Sequence, residues 1–174
     1  LTPENWVNIS VDELNNAAEL SDVTIDPNNP ERVFVSSFFD GLLEIENNEL
    51  VQQYDSSNSI IEGVPSNSND NRIGASVFDS QGNLYFTNSI AENQLKRLNA
   101  SGGFEDIDAS NGFLNPTETS SSKIINDSND NFFIATFKDG IVAYNSRTNT
   151  SALISSSTQG VDFPDVFNQN PIIT

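Results

Sequence analysis

The chain has 174 residues with 7 basic and 25 acidic side chains, a net charge of −18, and no cysteine, histidine or methionine. Without cysteine and histidine it can form no disulfide, no thiolate or imidazole zinc site, and no Ser-His-Asp or Cys-His nucleophile. Its charge repels phosphate backbones and anionic head groups, and no stretch approaches the roughly 18 apolar residues of a membrane helix, so neither nucleic-acid binding nor direct membrane insertion is expected.

The first segment, Asn5-Trp6-Val7-Asn8-Ile9, lines up with Gly103-Phe104-Glu105-Asp106-Ile107 and is predicted, over residues 4–10, as the outer strand of a preceding blade. A phrase then returns three times, in residues 20–55, 72–108 and 121–155. Its cores read Arg32-Val33-Phe34-Val35-Ser36-Ser37, Asn83-Leu84-Tyr85-Phe86-Thr87-Asn88 and Asn131-Phe132-Phe133-Ile134-Ala135-Thr136. The aspartates that precede them, Asp26, Asp79 and Asp127, lie 53 and 48 residues apart, a period at which repeats are blades or solenoid units.

Each copy resolves into four short strands bounded by Gly, Asn, Asp or Ser. In the second these are predicted at 73–78, 83–87, 94–98 and 103–107. The first reversal has three spellings: Pro27-Asn28-Asn29-Pro30, Ser80-Gln81-Gly82 and Ser128-Asn129-Asp130. The second is Asp40-Gly41 in the first copy and Asp139-Gly140 in the third, 99 residues apart, and predicts a type I′ turn with both residues at positive φ. The middle copy has the longer Ser89-Ile90-Ala91-Glu92-Asn93 there. Residues 156–174, with Val161-Asp162-Phe163-Pro164-Asp165-Val166-Phe167, are predicted as a connection toward a next blade.

Four-stranded antiparallel meanders at this period predict an all-β fold, a β-propeller, whose rings take about four to eight blades. Three blades do not close one. The chain is therefore expected to be about three blades of a larger propeller of six to eight, within a longer product, since isolated blades would expose faces made of Val33, Val35, Phe86, Phe133 and Ile134.

The stretch from Arg72 through Phe78-Asp79-Ser80-Gln81-Gly82-Asn83-Leu84-Tyr85-Phe86 to Ser89 resembles blades of the two-component-regulator propeller type. Asp26-Pro27-Asn28-Asn29-Pro30, Asp40-Gly41-Leu42-Leu43-Glu44-Ile45 and Leu50-Val51-Gln52-Gln53-Tyr54-Asp55 are similar to PorZ-like proteins of the type IX secretion system in Bacteroidetes. The resemblance covers residues 4–155, with Tyr85 and Phe133 where such blades often carry Trp. It implies a periplasmic or cell-surface, outer-membrane-associated accessory without chemistry, whose partners are proteins of a secretion or sortase complex. Sensor ectodomains of hybrid histidine kinases use similar blades, so a ligand-binding ectodomain of a hybrid two-component sensor is the alternative.

No catalytic residue, metal site or cofactor is expected. Asp127-Ser128-Asn129-Asp130-Asn131 matches the start of a calcium loop, but Phe132 replaces the required glycine and Lys138 the bidentate glutamate, so a turn is predicted. A third alternative is a glycoside hydrolase, which needs only two correctly spaced carboxylates. The expected binding surface is the face where the second-to-third-strand turns gather with the connections at 56–71 and 109–119. There Phe38, Phe39, Asp40, Phe137, Lys138 and Asp139 are the candidate binding residues, because rings beside Asp-Gly turns can anchor a peptide or stack on a surface glycan. The competing expectation is that the rings pack between neighbouring blades.

Overall fold

The computed structural model describes residues 6–155, which contain strands and no helix. Twelve strands form three four-stranded sheets in chain order. The first holds β1 (Leu20–Asp26), β2 (Asn29–Ser37), β3 (Gly41–Glu46) and β4 (Glu49–Tyr54). The second holds β5 (Ile73–Phe78), β6 (Leu84–Asn88), β7 (Leu95–Leu98) and β8 (Phe104–Ile107), and the third β9 (Ser121–Asn126), β10 (Asn131–Thr136), β11 (Ile141–Asn145) and β12 (Thr150–Ile154). Each is an antiparallel meander in which every strand pairs with its sequence neighbour.

The marker aspartates make the first reversal. Asp79 Oδ1 accepts from the amides of Gln81 (2.9 Å) and Asn83 (2.8 Å), and Asp127 Oδ1 accepts from those of Asn129 (2.8 Å) and Asn131 (3.0 Å). The Asn83 and Asn131 carboxamides complete the pair at Oδ2 (2.7 and 2.8 Å), so the Asp127 loop is a capped turn. At the second reversal the geometry departs from the type I′ expectation. Gly41 and Gly140 have φ of +85° and +114°, while Asp40 and Asp139 do not have positive φ. The loop has three residues because a hydroxyl organises it: Ser37 Oγ accepts from Asp40 N (2.9 Å), and Thr136 Oγ1 from Asp139 N and Gly140 N (3.0 Å each). Only the closing residue then needs the left-handed region. The type I′ pair occurs instead at Asn47-Asn48, φ 53° and 67°, between β3 and β4.

The sheets stand side by side with their first strands adjacent. Thr24 Oγ1 on β1 donates to the Ser76 carbonyl of β5 (2.9 Å), and Ser121 N on β9 donates to Ser89 Oγ (2.9 Å). β5 and β9 approach so closely that a Cβ on Gly74 would lie 2.1 Å from the Ser121 carbonyl oxygen. The second sheet is covered on both faces, which is why β6 has all five residues buried and reads as a nearly continuous apolar run. Phe34 and Leu42 of the first sheet bury against Leu84 and Phe86 of the second, and Tyr85 of the second buries against Phe132 of the third with ring centroids 4.1 Å apart. Each connection adds a plug between sheets, Ile61 at the first junction and Phe113 at the second.

The N-terminal segment also departs from expectation. Residues 6–10, placed in an outer strand at 4–10, form no strand. Ile9 instead joins Leu14 and Ala17 over Val35, Leu43 and Ile45 on the first sheet, in the position that Ile61 and Phe113 hold at the junctions. The resemblance to Gly103–Ile107 misled because an apolar-polar alternation also suits a connection that buries every few residues against a sheet. The connection predicted at 156–174 lies outside the described residues.

Candidate binding surface

The second-to-third-strand turns lie along one edge, each strapped to the connection entering from the neighbouring sheet. Gly41 N donates to the Asn71 carbonyl (2.9 Å) and Asn71 N to the Phe39 carbonyl (2.8 Å). Ile90 N donates to the Thr119 carbonyl (3.1 Å) and Phe137 N to the Ser120 carbonyl (2.9 Å). The turns and connections expected to gather are thus strapped together, and the six candidate residues fall in two groups.

In the first group the rings of Phe38 and Phe39 lie under the Arg72 guanidinium, 5.4 and 5.7 Å from its carbon, and Asp70 holds Arg72 in a bidentate pair (2.9 and 2.7 Å). This cation–π arrangement fixes the rings and half covers them. Asp40 faces inward as a latch: its Oδ2 accepts from Ala18 N (2.8 Å). In the second group Asp139 repeats the latch, accepting from Thr119 Oγ1 (2.6 Å). Phe137 has no such cover among the described residues and is 68% exposed beside the exposed Lys138.

Sequence reasoning missed Lys96. It lies in β7, its side chain is fully buried, and its Nζ donates to Glu62 (2.9 Å) and Asp106 (2.6 Å). Glu62 comes from the first connection and also accepts from the amides of Glu92 (2.9 Å) and Asn93 (3.2 Å), so here a carboxylate on the connection latches the turn rather than the reverse. Burial pushes the Glu62 carboxyl up, but Lys96 and these amides outweigh it and hold it below the usual carboxylate range. The signal was present in Leu95-Lys96-Arg97-Leu98, where a cation sits inside an apolar strand. Asp106 lies directly across the β7–β8 hairpin from it, whereas Glu62 lies on the preceding connection, which no local pattern links to it.

No protein-family model and no curated protein matches the chain. Solved structures do. PorZ, an essential bacterial surface component of the type IX secretion system of Porphyromonas gingivalis, superposes with a TM-score of 0.61 at 20% identity, over 74% of this chain and 18% of that one. The extracellular domain of a protein assigned as a hybrid two-component system of B. thetaiotaomicron gives 0.58 at 18% identity, over 86% of this chain and 17% of that one. The Dos1 propeller gives 0.50 at 17% identity, over 78% and 33%. The fold is that of β-propeller blades. The three sheets are blades, their first strands innermost, and the chain spans a third or less of the length of these relatives.

Proposed function

We infer that this chain is a binding and scaffolding arc of an extracytoplasmic propeller, without catalytic chemistry, and that it meets its partner through the turn edge at Phe137 and Lys138. The observation that carries this reading is the contrast between equivalent turns. Phe38 and Phe39 lie against Arg72 and Phe39 is 38% exposed, whereas Phe137 is 68% exposed beside a cation on a strongly acidic molecule, with no such neighbour among the described residues. An exposed ring next to a charge suits an anchor for a protein or glycan partner. The aspartates of both turns are spent on latches, so recognition falls to the ring and the lysine.

The absence of chemistry is supported by the carboxylates. Glu62 and Asp106 share the Lys96 cation, and Glu62 is shifted downward, the wrong direction for the general acid of a glycoside hydrolase. The likeness to PorZ favours a surface accessory of type IX secretion, with proteins of the secretion or sortase complex as partners. The sensor-ectodomain reading draws on the second likeness, which covers more of this chain. A full-length gene product with a membrane helix and a kinase region would select the sensor. A terminal sorting domain would select the accessory.

The direct test uses immobilised protein and envelope extract of a Bacteroidetes species with type IX secretion. Capture of a secretion-system protein is expected, reduced at least fivefold by Phe137→Ser and unaffected by Thr148→Ala on the opposite edge. Equal capture by the Phe137 variant would overturn the assignment of this edge.

A further inference from the structure

The fourth strand of the first blade ends its sheet and faces a groove of about 540 Å³ that follows it from Asn48 to Gln53. Glu13 and Asn15 of the entering segment and Asp55 and Asn58 of the following connection complete the lining. The floor is therefore the free edge of a sheet, where backbone groups that a fifth strand would pair are left to other partners. The Gln53 carbonyl shows this. It accepts from the carboxamides of Gln52 (2.8 Å) and Asn58 (2.9 Å), side chains that stand in for a neighbouring strand. Val51 is the extra residue of a bulge, opposite the step from Glu44 to Ile45, and is 55% exposed.

Charge decides what the groove accepts. Its lining has three carboxylates, Glu13, Glu49 and Asp55, and no cation. The second blade treats its outer strand differently: Glu105 and Asp106 of β8 are met by Arg97 and Lys96 of the adjacent β7. In the first blade Glu13 and Asp55 accept from the hydroxyls of Ser10 and Ser57 (2.6 Å each), and none of the three groove carboxylates meets a cation among the described residues. The lining also holds no aromatic ring, which separates it from a stacking site for a sugar.

We propose that the β4 edge takes an extended peptide rich in lysine or arginine, which adds to the first blade as a fifth strand. Main-chain hydrogen bonds along about 20 Å of strand hold the peptide, and the groove carboxylates select its cations. Val51 offers an apolar contact between them. The net charge of −18 steers a cationic segment toward the molecule and repels an anionic one, so binding weakens as salt screens the attraction. This groove lies on the outermost strand and is independent of the partner assigned to the turn edge at Phe137.

Fluorescence anisotropy of a labelled peptide that alternates lysine with threonine tests this with the full chain in low salt. Saturable binding is expected, and none by the matching peptide of glutamate and threonine. Glu49→Lys is expected to weaken binding at least tenfold, and Glu118→Lys, an equal change of charge at an exposed site outside the groove, less than twofold. In the unaltered protein, N-methylating one alternate set of the peptide's amides is expected to abolish binding and N-methylating the other set to spare it, because a strand offers only alternate amides to its neighbour. No binding of the lysine peptide, equal losses in the two variants, or equal behaviour of the two N-methylated peptides would each overturn the proposal. Phe137→Ser is expected to leave the affinity unchanged, so a failure here and a failure of the turn-edge reading are told apart.

Discussion

Lys96 shows how one side chain sets the local structure of an edge. A cation with no exposure to water is tolerated only when its charge is met, and Glu62 and Asp106 meet it while remaining about a third and a half exposed themselves. Removing the lysine therefore leaves two carboxylates that can hydrate, so the loss is smaller than for a fully buried pair. Lys96→Met is expected to destabilise the protein by about 1–3 kcal/mol in urea unfolding, with faster amide exchange at Glu92 and Asn93 as Glu62 loses its anchor. Unchanged exchange at those amides would show that Glu62 latches the turn without help. At this scale the sequence was only partly legible. Phe38, Phe39 and Phe137 stood out as rings beside Asp-Gly turns, but their different exposure depends on Arg72, which arrives from another blade.

Among the elements, the reversals were more readable than the contacts around them. Asp-Gly correctly located the turns after β2 and β10, yet their form was set by the Ser37 and Thr136 hydroxyls three residues before the aspartates, which hold a three-residue loop. Glycine is needed there for two reasons. Its φ is left-handed, and a Cβ would lie 2.0 Å from the Tyr54 carbonyl oxygen at Gly41 and 2.3 Å from that of Ile154 at Gly140. Gly41→Ala and Gly140→Ala are each expected to cost about 1–3 kcal/mol by thermal or urea unfolding, whereas Gly102→Ala, at φ +91° with open space around its Cβ position, meets only the backbone penalty of about 1 kcal/mol. Equal losses at all three would show that φ alone, not the crowding, sets the cost.

For the molecule as a whole, stability depends on the junctions, and its tyrosines report on them. Tyr85 and Tyr144 bury together between the second and third blades, and Tyr54 lies against Phe104 at the first junction. Burial pushes the Tyr144 hydroxyl up to about 12, and burial with the Glu44 hydrogen bond raises that of Tyr54. A folded-state value above the unfolded one, near 10, means that the neutral phenols contribute stability in full below pH 10 and lose it as pH rises through the folded values. Tyrosinate absorbance is therefore expected to rise cooperatively with unfolding above pH 10. Gradual ionisation without loss of β-sheet circular dichroism would show that the junctions admit water.

By itself the sequence determined the four-stranded unit, its three copies, the strand positions to within a residue or two in the second copy, and the excess of acidic charge. These are local properties: alternation, turn chemistry and composition act over a few residues and repeat with the chain. Which apolar faces close against a neighbouring blade was decided only in three dimensions. Phe34, Tyr85 and Phe133 hold the same place in the repeat, yet the first two are buried by the blade that follows while Phe133 has no following blade among the described residues. Burial of a blade face depends on its neighbour, and that dependence is absent from the pattern of any one copy.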